Sequence, residues 1–266
     1  MRLRLLAAAL VGFGSVLAAN QSPAPNSLTP AEKAAGWILL FDGQTLDSWQ
    51  AYNPARDMTK GWSVEDGAMK IADGDGRPNN SGGDIVTTAQ FGDFDFRFEW
   101  RVSPGGNSGV KYFVRERLGA PGAPMWAGDD GRSAIGHEYQ VIDDTAHPDA
   151  AVGPDRQTGA FYSVVAPDPA IKRLRAVGEF NESRIIVRDN RVEHWLNGAK
   201  IVDYELGAPA VLQAVAHSKF RPVPGFGTKL RTRILLQDHG DAVWFRNLKI
   251  RELNPGTPEP RNPGTN

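Results

Sequence analysis

Apolar and polar residues alternate in several separated stretches of this chain, and a period of two places successive side chains on opposite faces of a β-strand. Phe94-Asp95-Phe96-Arg97-Phe98-Glu99-Trp100-Arg101 alternates without a break, so Phe94, Phe96, Phe98 and Trp100 form an apolar row while Asp95, Arg97, Glu99 and Arg101 share the other face. Gly136-His137-Glu138-Tyr139-Gln140-Val141-Ile142-Asp143-Asp144 sets Glu138 and Gln140 against Tyr139 and Val141, with Asp143 and Asp144 where the strand runs out. In Arg233-Ile234-Leu235-Leu236-Gln237-Asp238-His239-Gly240, the polar side chains Arg233, Gln237 and His239 oppose Ile234 and Leu236, and Leu235 is the apolar exception on the polar face. Laid side by side in one sheet, these strands would form a polar floor able to hold a polyhydroxylated ligand. Alternation does not say which strands are neighbours.

The clearest meander is 184–188, 191–196 and 199–204, joined at Asp189-Asn190 and Asn197-Gly198. Two-residue turns of these types set antiparallel pairing and register. A last strand, Val243 to Ile250, places Trp244, Arg246, Leu248 and Ile250 on one side, and Asn107-Ser108-Gly109 reads as a turn before a strand over 110–114. Thr29-Pro30-Ala31-Glu32 combines an N-cap hydroxyl, a proline at the first helical position and a glutamate at the third, predicting one short helix through Ala35 that Gly36 ends. No later segment shows sustained helical periodicity. Many short strands separated by turn signals predict an all-β fold of two packed antiparallel sheets, a sandwich or jelly roll. Stretches 116–135, 145–158, 166–177 and 208–228 are longer than ordinary connections and are expected to form functional rims or lids.

Composition narrows the function. Thirty basic and 31 acidic residues leave a formal charge of −1, so neither nucleic acid nor a membrane surface is suggested as a partner. Residues 1–19 carry a basic start, an apolar run over 5–17 and small closing residues, the pattern of a secretory signal too short to span a bilayer. The expected order is signal 1–19, linker 20–28, one domain 29–253 and a flexible tail 254–266, in a periplasmic or secreted protein without membrane insertion. The absence of cysteine excludes a disulfide framework, so stability must come from core burial.

The five histidines form no His-x-His or His-x-x-x-His pair, and Asp73-Gly74-Asp75 lacks the rest of a calcium loop. The metal is therefore unassigned, though a single divalent ion held by Glu138, His239 and substrate oxygens stays open. No Gly-x-Ser-x-Gly marks a serine nucleophile, and Pro104-Gly105-Gly106-Asn107 leads into a strand where a phosphate loop would open a helix. Carboxylate and histidine chemistry with lysine, arginine and amide assistance remains, a combination suited to carbohydrate. The bland alternative for Glu138 and His239 is a solvated strand face. Of His194 and Trp195, one should face the core as a packing residue, so neither enters the catalytic set.

Several stretches, in order, resemble the 3-keto-disaccharide hydrolase family: Trp37-Ile38-Leu39-Leu40-Phe41-Asp42-Gly43, Gly83-Asp84-Ile85-Val86-Thr87, Phe94 to Arg101, Asn107-Ser108-Gly109-Val110, Glu138-Tyr139-Gln140-Val141-Ile142-Asp143, Thr158-Gly159-Ala160-Phe161-Tyr162 and Leu236-Gln237-Asp238-His239-Gly240. The resemblance covers about 36–253 and implies a concanavalin A-like jelly-roll sandwich acting on glycosides oxidised at C3. Phe180 stands where the family often shows tryptophan. The Glu-x-Gln-x-x-Asp run is also similar to the acidic strand of β-glucanases, but Gln140 replaces the middle acid, so their two-carboxylate displacement is not carried over. A C3 ketone acidifies the C2 hydrogen, which a base can remove so that the C1 substituent is expelled and water adds. Glu138 and His239 are the catalytic candidates, with base and acid unassigned between them. Arg101, Lys111, Gln140, Asp143, Tyr162 and Gln237 are candidates for binding substrate. The competing reading is a secreted, non-catalytic carbohydrate-binding module with stacking aromatics such as Trp126 or Tyr162.

Overall fold

The capping signal forms the expected helix. In the computed structural model, which describes residues 24–72, 74, 82–115 and 134–254, α1 (Pro30–Ala34) starts at Thr29, whose side chain accepts from Glu32 N while the Glu32 carboxylate accepts from Thr29 N. The expected signal over 1–19, Trp126, the Asp73–Asp75 turn as a whole and nearly all of the tail lie outside these residues.

Strands follow in chain order: β1 (Ile38–Leu39), β2 (Trp49–Ala51), β3 (Trp62–Glu65), β4 (Ala68–Ile71), β5 (Ile85–Thr87), β6 (Phe94–Val102), β7 (Asn107–Tyr112) and β8 (His137–Ile142). The meander is β9 (Asn181–Arg188), β10 (Arg191–Leu196) and β11 (Ala199–Glu205), and after α2 (Pro209–His217) come β12 (Leu235–Leu236) and β13 (Val243–Glu252). The larger sheet runs β11-β10-β9-β6-β13-β4-β3, with β1 against β13, and the smaller runs β2-β5-β12-β7-β8. Every pairing is antiparallel. The fold is thus a two-sheet, nearly all-β sandwich of the jelly-roll kind. No helix among the described residues is long and apolar enough to cross a membrane.

The aromatic row of β6 lies between the sheets: Phe94, Phe96, Phe98 and Trp100 are buried, and Phe98 meets the Tyr139 ring edge-on at 5.5 Å. Each such side chain contributes about 1.5–3 kcal/mol by leaving water. A buried polar chain crosses the same interior. His194 Nδ1 donates to Gly159 O at 2.9 Å, so its Nε2 accepts from Tyr112 OH at 2.7 Å; Tyr204 OH then donates to Tyr112 OH at 2.8 Å and accepts from His137 Nδ1 at 3.0 Å. Burial holds both imidazoles neutral, lowering His194 to about 4 and His137 to about 3. His194 is thus the core member of its pair, and Trp195 faces outward, where its Nε1 donates to Glu193 Oε2.

Four local readings change. Residues 208–228 contain α2, whose nine residues are too few to show periodicity beyond the buried i, i+4 pair Val211 and Val215. Asn107-Ser108-Gly109 is the start of β7, because β8 pairs with it back to Asn107. In β13 the register shifts between Arg246 and Lys249, where Asn247 has φ 54. That bulge reverses the phase, so Leu248 and Ile250 are buried while Trp244 and Arg246 lie outside. Finally, β6 belongs to the larger sheet, and its polar row lies on that sheet's outer face, away from Glu138 and Gln140.

Candidate active site

Register brings the first two charged groups together. Lys111 on β7 stands directly opposite Glu138 on β8, and Gly109 opposite Gln140. Directly opposed residues share a face, so Lys111 Nζ comes within 3.5 Å of Glu138 Oε2 while also donating to Ala134 O at 3.0 Å. Both side chains are about 95 % buried on the open face of the smaller sheet, where a lone charge would be strongly disfavoured.

β12 brings in the next two groups. It pairs with β7 through Leu235↔Lys111 and Leu236↔Val110, and Gln237 N continues the ladder to Gly109 O at 2.9 Å. With its amide oriented to match donors with acceptors, Gln237 donates to Glu138 Oε1 at 3.1 Å and accepts from Lys111 Nζ at 2.9 Å, and His239 Nε2 lies 3.0 Å from the same amide. Glu138, Gln237 and His239 therefore form one connected group. Space for it exists because residue 109 has no side chain: a Cβ there would stand 2.5 Å from Glu138 Oε1 and 2.9 Å from the Gln237 amide. Beneath the group, Asp238 points inward and accepts from Gly83 N and Gly240 N, both at 2.9 Å, while its own N–H donates to Asp84 Oδ1 at 2.9 Å. These bonds fix the segment that carries Gln237 and His239. Burial raises the Asp84 carboxyl to about 6, against the pull of Lys111.

The group opens into a cavity of about 520 Å³, within the range of small-ligand sites. Its far wall comes from loops. Asp149 enters from a 3-10 turn at Pro148–Ala151 and His147 from its N-cap, Asn107 from the start of β7, Asp241 from the connection before β13, and Lys219 and Phe220 from the segment after α2. Asp149 binds Arg156 Nη1 at 2.8 Å and Tyr162 OH at 2.7 Å, and the Lys219 ammonium lies 4.1 Å over the Tyr162 ring. Burial, followed by the neighbouring carboxylate of Asp149, raises the Tyr162 hydroxyl pKa well above its ordinary value. Burial and then the cations Lys111 and Lys219 lower His239 to about 3, so its imidazole is neutral across the physiological range. Much of Lys219 stays exposed, but its ammonium is crowded by protein, and lost hydration lowers it to about 8.

Residues 36–251 match the family described as 3-keto-alpha-glucoside-1,2-lyase-like domain. The chain belongs to this family. Across 249 aligned residues it is 33 % identical to the 3-keto-disaccharide hydrolase of Bacteroides thetaiotaomicron, covering 86 % of this chain and 82 % of that protein. A crystal structure from Parabacteroides distasonis, assigned as a glycosyl hydrolase, superposes with a TM-score of 0.71 at 32 % identity over 87 % of this chain and 100 % of that one. A second from the same organism, at 24 % identity, shares the fold with a TM-score of 0.56 over 82 % and 99 % of the two chains.

All the cavity residues fall within the span matched to the family. Of the candidates read from sequence, Glu138, His239, Lys111, Gln140, Tyr162 and Gln237 line this cavity. Arg101 does not. It lies on the outer face of the other sheet, its guanidinium 4.4 Å over Trp244 and 5.0 Å over Phe180. Asp143 is not a cavity wall either; its oxygens accept from Gly105 N, Thr145 N and Oγ1, and Ala146 N, bracing the turn after β8. Arg233 likewise serves a neighbouring loop, donating to Thr87 O at 2.7 Å. Sequence reading did not assign Asn107, His147, Asp149, Lys219 or Asp241 to the site; its signal for the loop residues was only the unusual length of their segments. Among the described residues no group of three or more His, Asp or Glu is placed to hold a metal ion.

Proposed function

We propose that this protein cleaves 3-keto-glycosides, 3-keto-disaccharides among them, by removing the C2 proton, expelling the C1 substituent and adding water. The observation that carries the reading is the connected group Glu138–Gln237–His239 beside the Lys111 ammonium on the cavity floor. In this scheme the Glu138 carboxylate takes the C2 proton and the C2–H electrons form the enolate across C2 and C3. Lys111, buried on the cavity floor, stabilises the negative charge on the C3 oxygen. Reformation of the ketone drives out the C1 oxygen, which leaves as an alcohol carrying the proton that Glu138 took from C2. Water then gives a proton to Glu138 as its oxygen adds at C1, and Glu138 delivers that solvent-derived proton to C2. An imidazole lowered to about 3 is a weak base, so His239 is given the role of neutral N–H donor to substrate oxygen. Family membership and the hydrolase name of the Bacteroides relative support the substrate class.

The test compares a 3-keto-glycoside with its unoxidised parent in deuterated water. The ketone should be cleaved far faster, and the released 3-keto sugar should carry deuterium at C2 after correction for spontaneous exchange. Glu138→Gln and His239→Asn should each lower the rate by about 10²-fold or more. Unlabelled product together with wild-type rates in both variants would remove this mechanism, and binding without turnover would favour a carbohydrate-binding module. Export belongs to the same proposal: the mature protein should begin after Ala18 or Ala19, and an intact Met1 on periplasmic material would contradict it.

A further inference from the structure

Asn107 is a buried polar side chain that no donor among the described residues satisfies. It is 7 % exposed and lines the cavity, yet its Oδ1 has no hydrogen-bond partner among the described residues. Turning the amide over leaves a buried polar atom in the same place. The side chain is not needed to anchor the strand, because the Asn107 N–H already donates to Asp241 Oδ2 at 3.0 Å. A buried acceptor without a donor is disfavoured, and where such a group faces a cavity the missing donor is most simply supplied by a ligand.

Its position says which part of a ligand. Asn107, Gly109 and Lys111 are alternate residues of one strand and so share the cavity face. At a rise of roughly 3.3 Å per residue, Asn107 and Lys111 are about 13 Å apart along β7. That is longer than one pyranose ring. If the oxidised ring sits over Glu138, Gln237 and Lys111, as the proposed function requires, a second sugar extending along β7 reaches Asn107. We propose that the Asn107 amide oxygen accepts a hydroxyl of the sugar that departs from C1, making this end of the cavity a leaving-group subsite selective for hydroxylated aglycones. The inference rests on the functional reading above for the orientation of the substrate.

The experiment separates the two ideas. In a Glu138→Gln background, which does not depend on turnover, the dissociation constants of a 3-keto-disaccharide and of the corresponding methyl 3-keto-glycoside are measured with and without Asn107→Leu. The subsite predicts that Asn107→Leu weakens the disaccharide about tenfold more than the methyl glycoside, the value of one hydrogen bond. It also predicts that Asn107→Leu does not lower the melting temperature of the free protein, because an unpaired buried amide is replaced by an apolar group of similar size. Equal weakening of both ligands, no weakening of either, or no disaccharide binding at all overturns the subsite. A lowered melting temperature overturns it too, since that is the mark of a structural role. Selective binding in this background, together with wild-type protein that cleaves neither compound, would sustain the subsite while refuting the mechanism.

Discussion

Gly109→Ala isolates the geometric demand of the site from the stability of the fold. Gly109 is not among the glycines with positive φ, so alanine meets no backbone strain there, and a methyl in a strand interior recovers about 0.5–1 kcal/mol that glycine forfeits. The new Cβ would lie 2.5 Å from Glu138 Oε1, and an ordinary contact begins near 3.4 Å, so the carboxylate must retreat by about 0.9 Å. The same methyl presses on the Gln237 amide at 2.9 Å, which disturbs its contacts with His239 and Lys111. Overpacking typically costs about 1–3 kcal/mol, and movement of a side-chain end keeps it at the low end. Offset against the backbone gain, the melting temperature should fall by no more than about 5 °C. Catalysis has no such margin, because a displacement of this size at a reacting group lowers the rate by about 10²-fold. Thermal unfolding and kcat/KM on a 3-keto-glycoside measure the two effects side by side. A folded variant with wild-type kcat/KM would refute the assigned role of the Glu138 position, and a variant that does not fold would show that the backbone, not the carboxylate, absorbs the clash.

Two pH experiments follow from the shifted groups. Lys219 loses its proton through about pH 8, so if its ammonium helps hold substrate, wild-type kcat/KM falls as pH rises past 8 and Lys219→Met abolishes that alkaline limb; an identical limb in the variant would exclude Lys219 as its source. Asp84, raised to about 6 by burial, is protonated in the fold where the unfolded chain has already ionised, so its favourable contribution is complete below the unfolded pKa near 3.8 and is lost as pH rises through 6, by about 3 kcal/mol. Asp84→Asn keeps the Oδ1 acceptor for Asp238 N and removes the titration, so its stability relative to wild type should increase between pH 4 and pH 7 in denaturant unfolding; a constant difference would show that Asp84 does not titrate in that window.

Local chemistry is what the sequence by itself determined. The α1 cap, the two-residue turns of the β9–β11 meander and the alternation in β6 and β8 depend on residues within a few positions of one another, so hydrogen bonding and side-chain period suffice to read them. That alternation also separated Glu138 and Gln140 from Tyr139, which set both on the face that lines the cavity. Sheet membership could not be read this way. β6, β8 and the segment after β12 carry equally polar faces, and only long-range pairing put β12, β7 and β8 together and sent β6, with Arg101, to the other side of the sandwich. The bulge at Asn247 likewise arises from how β13 meets β6 across a register shift. The far wall is hidden for the same reason: His147, Asp149 and Lys219 sit on loops with no repeating pattern, and Asn107, in a stretch with turn chemistry, is made strand only by its pairing with Ile142 of β8. Alternation sets which way a side chain points from its own strand; which strand lies beside it, and what then faces the cavity, is decided by tertiary packing of the two sheets.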